Sequence, residues 1–269
     1  MSTPDVPLRM ELTFELPGTP EQIWNAIATA NGISAWFIPT DVEERAGGAV
    51  CFHMGESSSP GHITGWEPPY RFAFEEPEWA ALTDHADADV TPLATEFLVE
   101  ARSGGTCVVR VVSSAFGTGA DWEQEFFEEM EKGWAPFFEH LRLYLTQFPG
   151  QQVTPLTADR QLPGPSDAVR ASMRKALGVD GVGGRVDVNG LSGEVQRADD
   201  SETLIRLDGG IPGYLALFAY DVADGNAIAT VAGYLFSPQA EKYVERSAPD
   251  WKDWLSNLPV DDVTTGVVP

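Results

Sequence analysis

Four histidines, two cysteines, a few adjacent carboxylates and one strand-borne arginine are the residues of this 269-residue chain through which chemistry would run. Their spacing supports little of it. His53 stands between Phe52 and Met54 on an alternating segment, so it faces away from them, and His62 opens a neighbouring strand. No third ligand lies at metal-binding spacing from this pair, so rim or surface histidines are expected rather than a metal pair or a polar cavity group. Asp84-His85-Ala86-Asp87-Ala88-Asp89 resembles a cation loop, but an EF-hand needs glycine where Pro92 stands and an acid where Leu98 stands. It reads as a solvated acidic loop, with a lid over a cavity mouth as its functional version. Glu43-Glu44, Glu75-Glu76 and Asp199-Asp200 are adjacent pairs. Neighbouring side chains on a strand point to opposite faces, so these pairs do not converge as acid and base. Ser57-Ser58-Ser59 and Ser113-Ser114 lack a nucleophile elbow and His/Asp partners. Gly181-Val182-Gly183-Gly184 follows no strand that would make it a phosphate loop. Cys51 and Cys107 read as buried structural thiols. The chain is therefore expected to hold no catalytic constellation, no metal and no cofactor.

Aromatic residues carry the stronger signal. Trp24, Trp36, Phe37, Phe52, Trp66, Phe72, Phe74, Phe97, Trp122, Phe126, Trp134 and Phe138 all fall in the first half, on faces expected to point inward. They form either a solid core or the walls of a ligand cavity. The ligand-binding set expected from the sequence is Trp24, Trp36, Phe37, Phe52, Met54, Trp66, Phe72, Phe74, Phe97, Arg110, Phe126, Trp134 and Phe138. Arg110 lies mid-strand between Val108 and Val112. It either turns a cation toward an anionic ligand in the cavity or faces outward to Glu96 or Glu100, and the outward reading is favoured.

The elements that must position these residues are legible. Residues 8–16 alternate like a strand. Thr19-Pro20-Glu21-Gln22 is a helix start with Thr as N-cap and Pro at the first helical position. Ile23, Trp24, Ile27 and Ala28 form one helical face, closed by Asn31-Gly32. Residues 33–37 make a second short helix. Strands follow over 40–45, 49–54, 62–66, 70–75, 95–101 and 106–115, with Gly47-Gly48 and Gly104-Gly105 as turns. Residues 77–92 form a long acidic loop. From Trp122 to Leu145 apolar residues repeat at three- and four-residue steps, which predicts one long amphipathic helix, kinked or locally broken at Pro136. Strand, short helices, antiparallel strands and a long helix together predict an α+β helix-grip fold, a sheet wrapped around its C-terminal helix.

Composition bounds the rest. The chain has 43% hydrophobic residues and 41 acids against 17 bases, a net charge of −24. That excess, without any cluster of Lys and Arg, argues against nucleic acid or an anionic membrane as partner. The first ten residues hold no apolar signal core, and residues 211–236 are interrupted by Asp221 and Asp224, so neither an export signal nor a membrane span is expected. A cytoplasmic protein is the expectation. The domain boundaries expected are 1–148, a linker at 149–164, a second domain at 165–258 and a tail at 259–269.

Thr19-Pro20-Glu21-Gln22-Ile23-Trp24, Trp36-Phe37, Gly47-Gly48, Gly65-Trp66-Glu67-Pro68-Pro69, Arg71-Phe72, Gly104-Gly105-Thr106 and Gly133-Trp134 occur in this order. Together they resemble the START-like (SRPBCC, Bet v 1-type) superfamily, in its branch named after the activator of Hsp90 ATPase, called AHSA1-like. The resemblance covers about residues 8–147. It implies a grip fold enclosing an apolar cavity and a hydrophobic small molecule as partner. Polyketide cyclisation or dehydration, or binding of a protein partner such as a chaperone, are the alternatives. Relatives often carry His-Ser-Gly-Phe late in the last strand; here Val112 stands at the histidine position, against a histidine-dependent role. The leading reading is non-enzymatic binding of a hydrophobic small molecule.

The second half holds a faint copy of the first. Glu15-Leu16-Pro17-Gly18 matches Gln161-Leu162-Pro163-Gly164, and Gly47-Gly48-Ala49-Val50 matches Gly183-Gly184-Arg185-Val186. The offset falls from 146 to 136 between them, so ten residues, those around Trp36, are missing from the copy. The expectation is a degenerate second START-like domain. Its core should be filled by Tyr214, Phe218, Tyr220, Tyr234 and Phe236, and its terminal helix should break near Pro249.

Overall fold

Leu8, Met10 and Leu16 are buried and Arg9, Glu11 and Glu15 exposed along the first strand, β1 (Val6–Pro17). This is the period-2 pattern of a strand with one face on a core. The computed structural model describes residues 5–54 and 57–259, in two units, Met1–Gln151 and Gln152–Pro269. The N-terminal four residues and nearly all of the expected tail lie outside the described residues.

Gly18, at φ 123°, turns β1 into α1 (Pro20–Ala28). The Gln22 N–H donates to Thr19 Oγ1 (3.3 Å) and the Thr19 N–H to Gln22 Oε1 (2.9 Å), a reciprocal cap of the kind the Thr-Pro-Glu-Gln run predicts. The helix stops at Ala28, before Asn31-Gly32. Thr29 stops it, with extended backbone and a hydroxyl that donates to the Asn25 carbonyl (2.6 Å) and accepts the Gly32 N–H (3.0 Å). A new turn, α2 (Ala30–Ser34), starts there. Gly32 is required for the close approach of the two helices: a Cβ there would lie 1.8 Å from the Asn25 carbonyl oxygen. This junction delivers Trp36, whose Nε1–H donates to the Ala26 carbonyl (2.9 Å).

The strands β2 (Thr40–Val42), β3 (Ala49–Met54), β4 (Ser57–Glu67), β5 (Arg71–Glu76), β6 (Leu93–Arg102) and β7 (Thr106–Gly117) follow. They pair antiparallel in the order β1-β7-β6-β5-β4-β3-β2. The 27-residue α3 (Asp121–Gln147) closes the unit and packs against β1 and α1. It runs unbroken through Pro136, so the lost backbone donor is absorbed without ending the helix; buried Phe127, Trp134, Phe138, Leu141 and Leu145 hold its inner face on either side. Its start is locked by buried Glu123, which accepts from the N–H groups of Thr118, Gly119 and Ala120 and from the Thr118 hydroxyl, at 2.9–3.2 Å. Burial alone would raise this acid; the four donors outweigh it and hold it below the ordinary carboxylate value.

The second unit contains β8 (Thr154–Pro163), α4 (Ser166–Leu177), β9 (Arg185–Val188), β10 (Leu191–Ala198), β11 (Glu202–Leu207), β12 (Gly213–Val222), β13 (Asn226–Leu235) and α5 (Ala240–Ser256). The stretch expected as a linker at 149–164 thus carries a full strand. Pro155, Pro163 and its charges disguise β8, but as an edge strand it tolerates proline, and Leu156, Ala158 and Leu162 alternate into the core. The α5 helix also continues through Pro249 instead of breaking, with Tyr243, Ser247, Trp251 and Leu255 buried along one face.

The sheet order β8-β13-β12-β11-β10-β9 repeats that of the first sheet, in which the opening strand pairs with the last and the rest follow in reverse. The agreement extends to single bonds. Gly47 N–H to the Ile63 carbonyl (2.9 Å) and Ile63 N–H to the Gly48 carbonyl (2.8 Å) recur as Gly183 to Val195 and Val195 to Gly184 (2.9 Å each). Gly18 N–H to the Gly105 carbonyl (2.9 Å) recurs as Gly164 to Gly225 (3.0 Å). Register shifts fall after Ile63 in β4 and after Val195 in β10. The second unit is a degenerate copy of the first, and the ten missing residues correspond to α2 and β2.

Candidate functional site

Period 2 on three strands and period 3.6 on one helix build a cavity of about 230 Å³ in the first unit. Phe72, Phe74 and Glu76 line it from β5, Leu93, Thr95 and Phe97 from β6, and Phe52 and Met54 from β3. Phe126, Met130, Gly133, Trp134 and Phe137 face them from α3, at steps of one helical turn. The α1–α2 junction adds Ile27, Ile33, Trp36, Phe37 and Ile38. Trp36 and Phe72 are almost fully buried, whereas Met54 and Leu82, 36% and 39% exposed, mark the mouth. Ring packing fixes the walls: Phe37 stacks on Trp134 (5.2 Å, 10°) and meets Phe52 edge-on (6.0 Å), which abuts Phe74 (5.1 Å).

Nine of the thirteen expected ligand residues line this space: Trp36, Phe37, Phe52, Met54, Phe72, Phe74, Phe97, Phe126 and Trp134. Trp24, Trp66 and Phe138 stand one layer behind. Trp24 and Trp66 meet edge to face at 4.9 Å beside Phe72, and Phe138 stacks on Phe14 at 3.7 Å. Arg110 is not in the cavity. Buried Val109 and Val111 take the inner face of β7, so Arg110 faces outward, where Nη1 lies 3.4 Å from Glu11 on β1 rather than at Glu96 or Glu100. His53 also faces outward, 2.9 Å from Asp41, and His62 lies 3.6 Å from Glu75.

The sequence reading missed two features. Trp79, in a 3₁₀ turn (Trp79–Leu82) of the acidic loop, is fully buried; it donates Nε1–H to the Thr91 carbonyl (2.9 Å) and packs on Trp122 and Phe126. This anchor sets Leu82 at the mouth. The other is Glu76. Phe72, Phe74 and Glu76 share a parity on β5, so the carboxyl follows the two rings inward. It accepts the hydroxyl of buried Ser59 (2.5 Å), and burial pushes it up to about 7, with the Ser59 bond opposing the rise. Among the described lining residues it is the one ionisable group.

An antiparallel sheet against one long helix, with an apolar hollow between them, defines the START-like class of helix-grip proteins. Residues 17–146 match the family model described as Activator of Hsp90 ATPase homolog 1-like protein, so the first unit is similar to that AHSA1-like family. Among solved structures, the chain is similar to protein MLL2253 from Mesorhizobium loti (18% identity, TM-score 0.45, 52% of this chain and 98% of that one). It is also similar to protein BH1534 of Bacillus halodurans (21%, 0.41, 52% and 99%). The di-domain ARO/CYC BexL from the BE-7585A biosynthetic pathway aligns over both units (13%, 0.43, 93% of each chain). No curated protein sequence matches the chain. Among the described residues no helix is long and apolar enough to cross a membrane.

Proposed function

We propose that the first unit binds a compact hydrophobic small molecule between its sheet and α3, without transforming it. The observation that carries this reading is the cavity itself: about 230 Å³, walled by aromatic and aliphatic side chains apart from Thr95 and Glu76. The Thr95 hydroxyl is already engaged with Ser113 (2.9 Å). An apolar cavity of roughly 150 Å³ holds benzene, so this one suits a two-ring skeleton. Burying about ten carbons contributes on the order of 8 kcal/mol before association costs, which places binding in a micromolar or weaker range. Acid–base catalysis needs two convergent groups, and a single lining carboxyl supports binding over cyclase-type chemistry. The second unit, whose core is packed by its own side chains, takes a structural role.

Gly133 supplies the test. It lines the cavity from α3, and a Cβ there meets nothing within 4 Å. Gly133→Leu should fill the space, keep the fold and abolish binding of an apolar fluorescent probe that the unmodified protein takes up. Unchanged probe affinity in folded Gly133→Leu would place binding elsewhere.

A further inference from the structure

The cavity has a polar corner. Ser59 pairs with Phe52 across β3 and β4, Glu76 follows Phe74 on β5, and the serine hydroxyl donates to Glu76 Oε1 (2.5 Å). Ser59 is the one hydrogen-bond partner of this carboxyl among the described residues, and it engages Oε1 alone. Ring faces carry partial negative charge and attract cations, and Phe52, Phe74, Phe37 and Trp134 surround the same space. The sequence adds a long-range term. Residues 1–150 hold 24 acids and 7 bases (24 − 7 = 17 net negative), a field that draws in cations and turns away anions.

Resting on the binding reading above, we propose that the cavity selects compact apolar amines, which enter as ammonium ions with Glu76 as counter-ion and Ser59 as the group that orients it. A neutral ligand leaves the half-buried carboxylate without a counter-charge. An anionic ligand, such as a fatty acid, places two like charges in one apolar space. An ammonium instead neutralises the carboxylate, lets its organic part fill the hollow, and lies against ring faces.

Three isosteric probes separate these cases: 1-naphthylmethylamine, 1-naphthylmethanol and 1-naphthoate, titrated calorimetrically into the full chain at about pH 8, where Glu76 is mainly ionised. The amine should bind about tenfold or more tightly than the alcohol, and the carboxylate weakest. Glu76→Gln, confirmed folded by its melting transition, should erase the amine preference and leave alcohol affinity within about threefold. The preference should survive roughly 0.5 M salt, since a partly buried pair is screened less than a surface one. An amine no tighter than the alcohol, or a preference that persists in Glu76→Gln, overturns the proposal while leaving the binding site standing. If none of the three binds, the binding reading itself fails and takes this proposal with it.

Discussion

The two sheets share strand order, turn glycines and a register shift, yet one faces a hollow walled by aromatic rings and the other a cluster of buried, mainly aliphatic side chains. Strand pairing sets their residues side by side. Phe74, Thr95 and Phe97 of the first sheet occupy the places of Ile205, Leu215 and Leu217 in the second. Glu76, two residues beyond Phe74, corresponds to Leu207, two beyond Ile205, which is 3% exposed within the second core. That core is built from aliphatic strand residues and from Tyr243, Trp251 and Leu255 of α5. Trp251 donates Nε1–H to Tyr243 Oη (3.0 Å), which donates to the Asn189 carbonyl (3.0 Å) in the β9–β10 turn. The glycines that persist in both copies are those the backbone demands. At Gly61 and Gly193 a Cβ would lie 2.6 and 2.3 Å from a carbonyl of the next strand. Frame and filling are thus specified by different residues, and the filling has diverged.

Exchanging the fillings should break this contrast hardest. Leu207→Glu puts an unpaired carboxyl into the packed core and should cost about 4 kcal/mol or more, unfolding the second unit first; chemical denaturation with a tryptophan readout measures it. A tolerated Leu207→Glu would mean that the second core is as open as the first.

The two helix starts differ as well. Glu123 gathers four donors at the start of α3, whereas α5 begins without a side-chain cap. Glu123→Ala should therefore cost about 2–4 kcal/mol, by leaving buried donors unpaired. Because this acid is held low, its contribution is present above the unfolded-state value and fades as pH falls.

Glu76 has the opposite sign. Its value near 7 in the fold lies above the ordinary 4.5. The folded chain therefore holds an extra proton between those limits, and stability falls as pH rises through that window. Glu76→Gln should be more stable than the unmodified chain by up to about 2–3 kcal/mol near pH 8 and no different near pH 4. A difference that stays flat with pH would count against burial as the cause. The smallest effect belongs to Gly133→Leu, a gain of about 0.5–1 kcal/mol from removing a glycine inside a helix, read as a shift in the thermal midpoint.

Much of this architecture is legible in the residues. The capped start at Thr19, the alternation of the strands and the apolar stripe from Trp122 to Leu145 all state their local geometry. The copy announces itself through Leu-Pro-Gly and Gly-Gly. What is not legible fails for identifiable reasons. Glu76 is hidden by its neighbour: Glu75 and Glu76 point to opposite faces of β5 and cannot converge, and the same alternation sends Glu76 inward after Phe72 and Phe74. The sequence assigns Tyr214 and Tyr234 to the second core, whereas Leu215, Leu217, Val231 and Leu235 fill it. The two tyrosines stack at 4.5 Å, buried on the opposite face of the sheet, and Tyr220 is largely exposed. A strand apolar on both faces has no alternation to assign its sides. Trp79 was masked by the acidic sequence around it.

The prolines that disguise β8 bear on how the protein behaves at high concentration. An outermost strand offers its unpaired amides to any extended chain that comes alongside, which is how sheets grow into aggregates. Pro155 and Pro163 sit near the two ends of β8, opposite Tyr234 and Asn226, without disturbing the ladder to β13. Two amides that an intruding chain would need are therefore absent from that margin. Replacing both prolines with alanine should leave the native sheet intact while making the protein quicker to coagulate on storage.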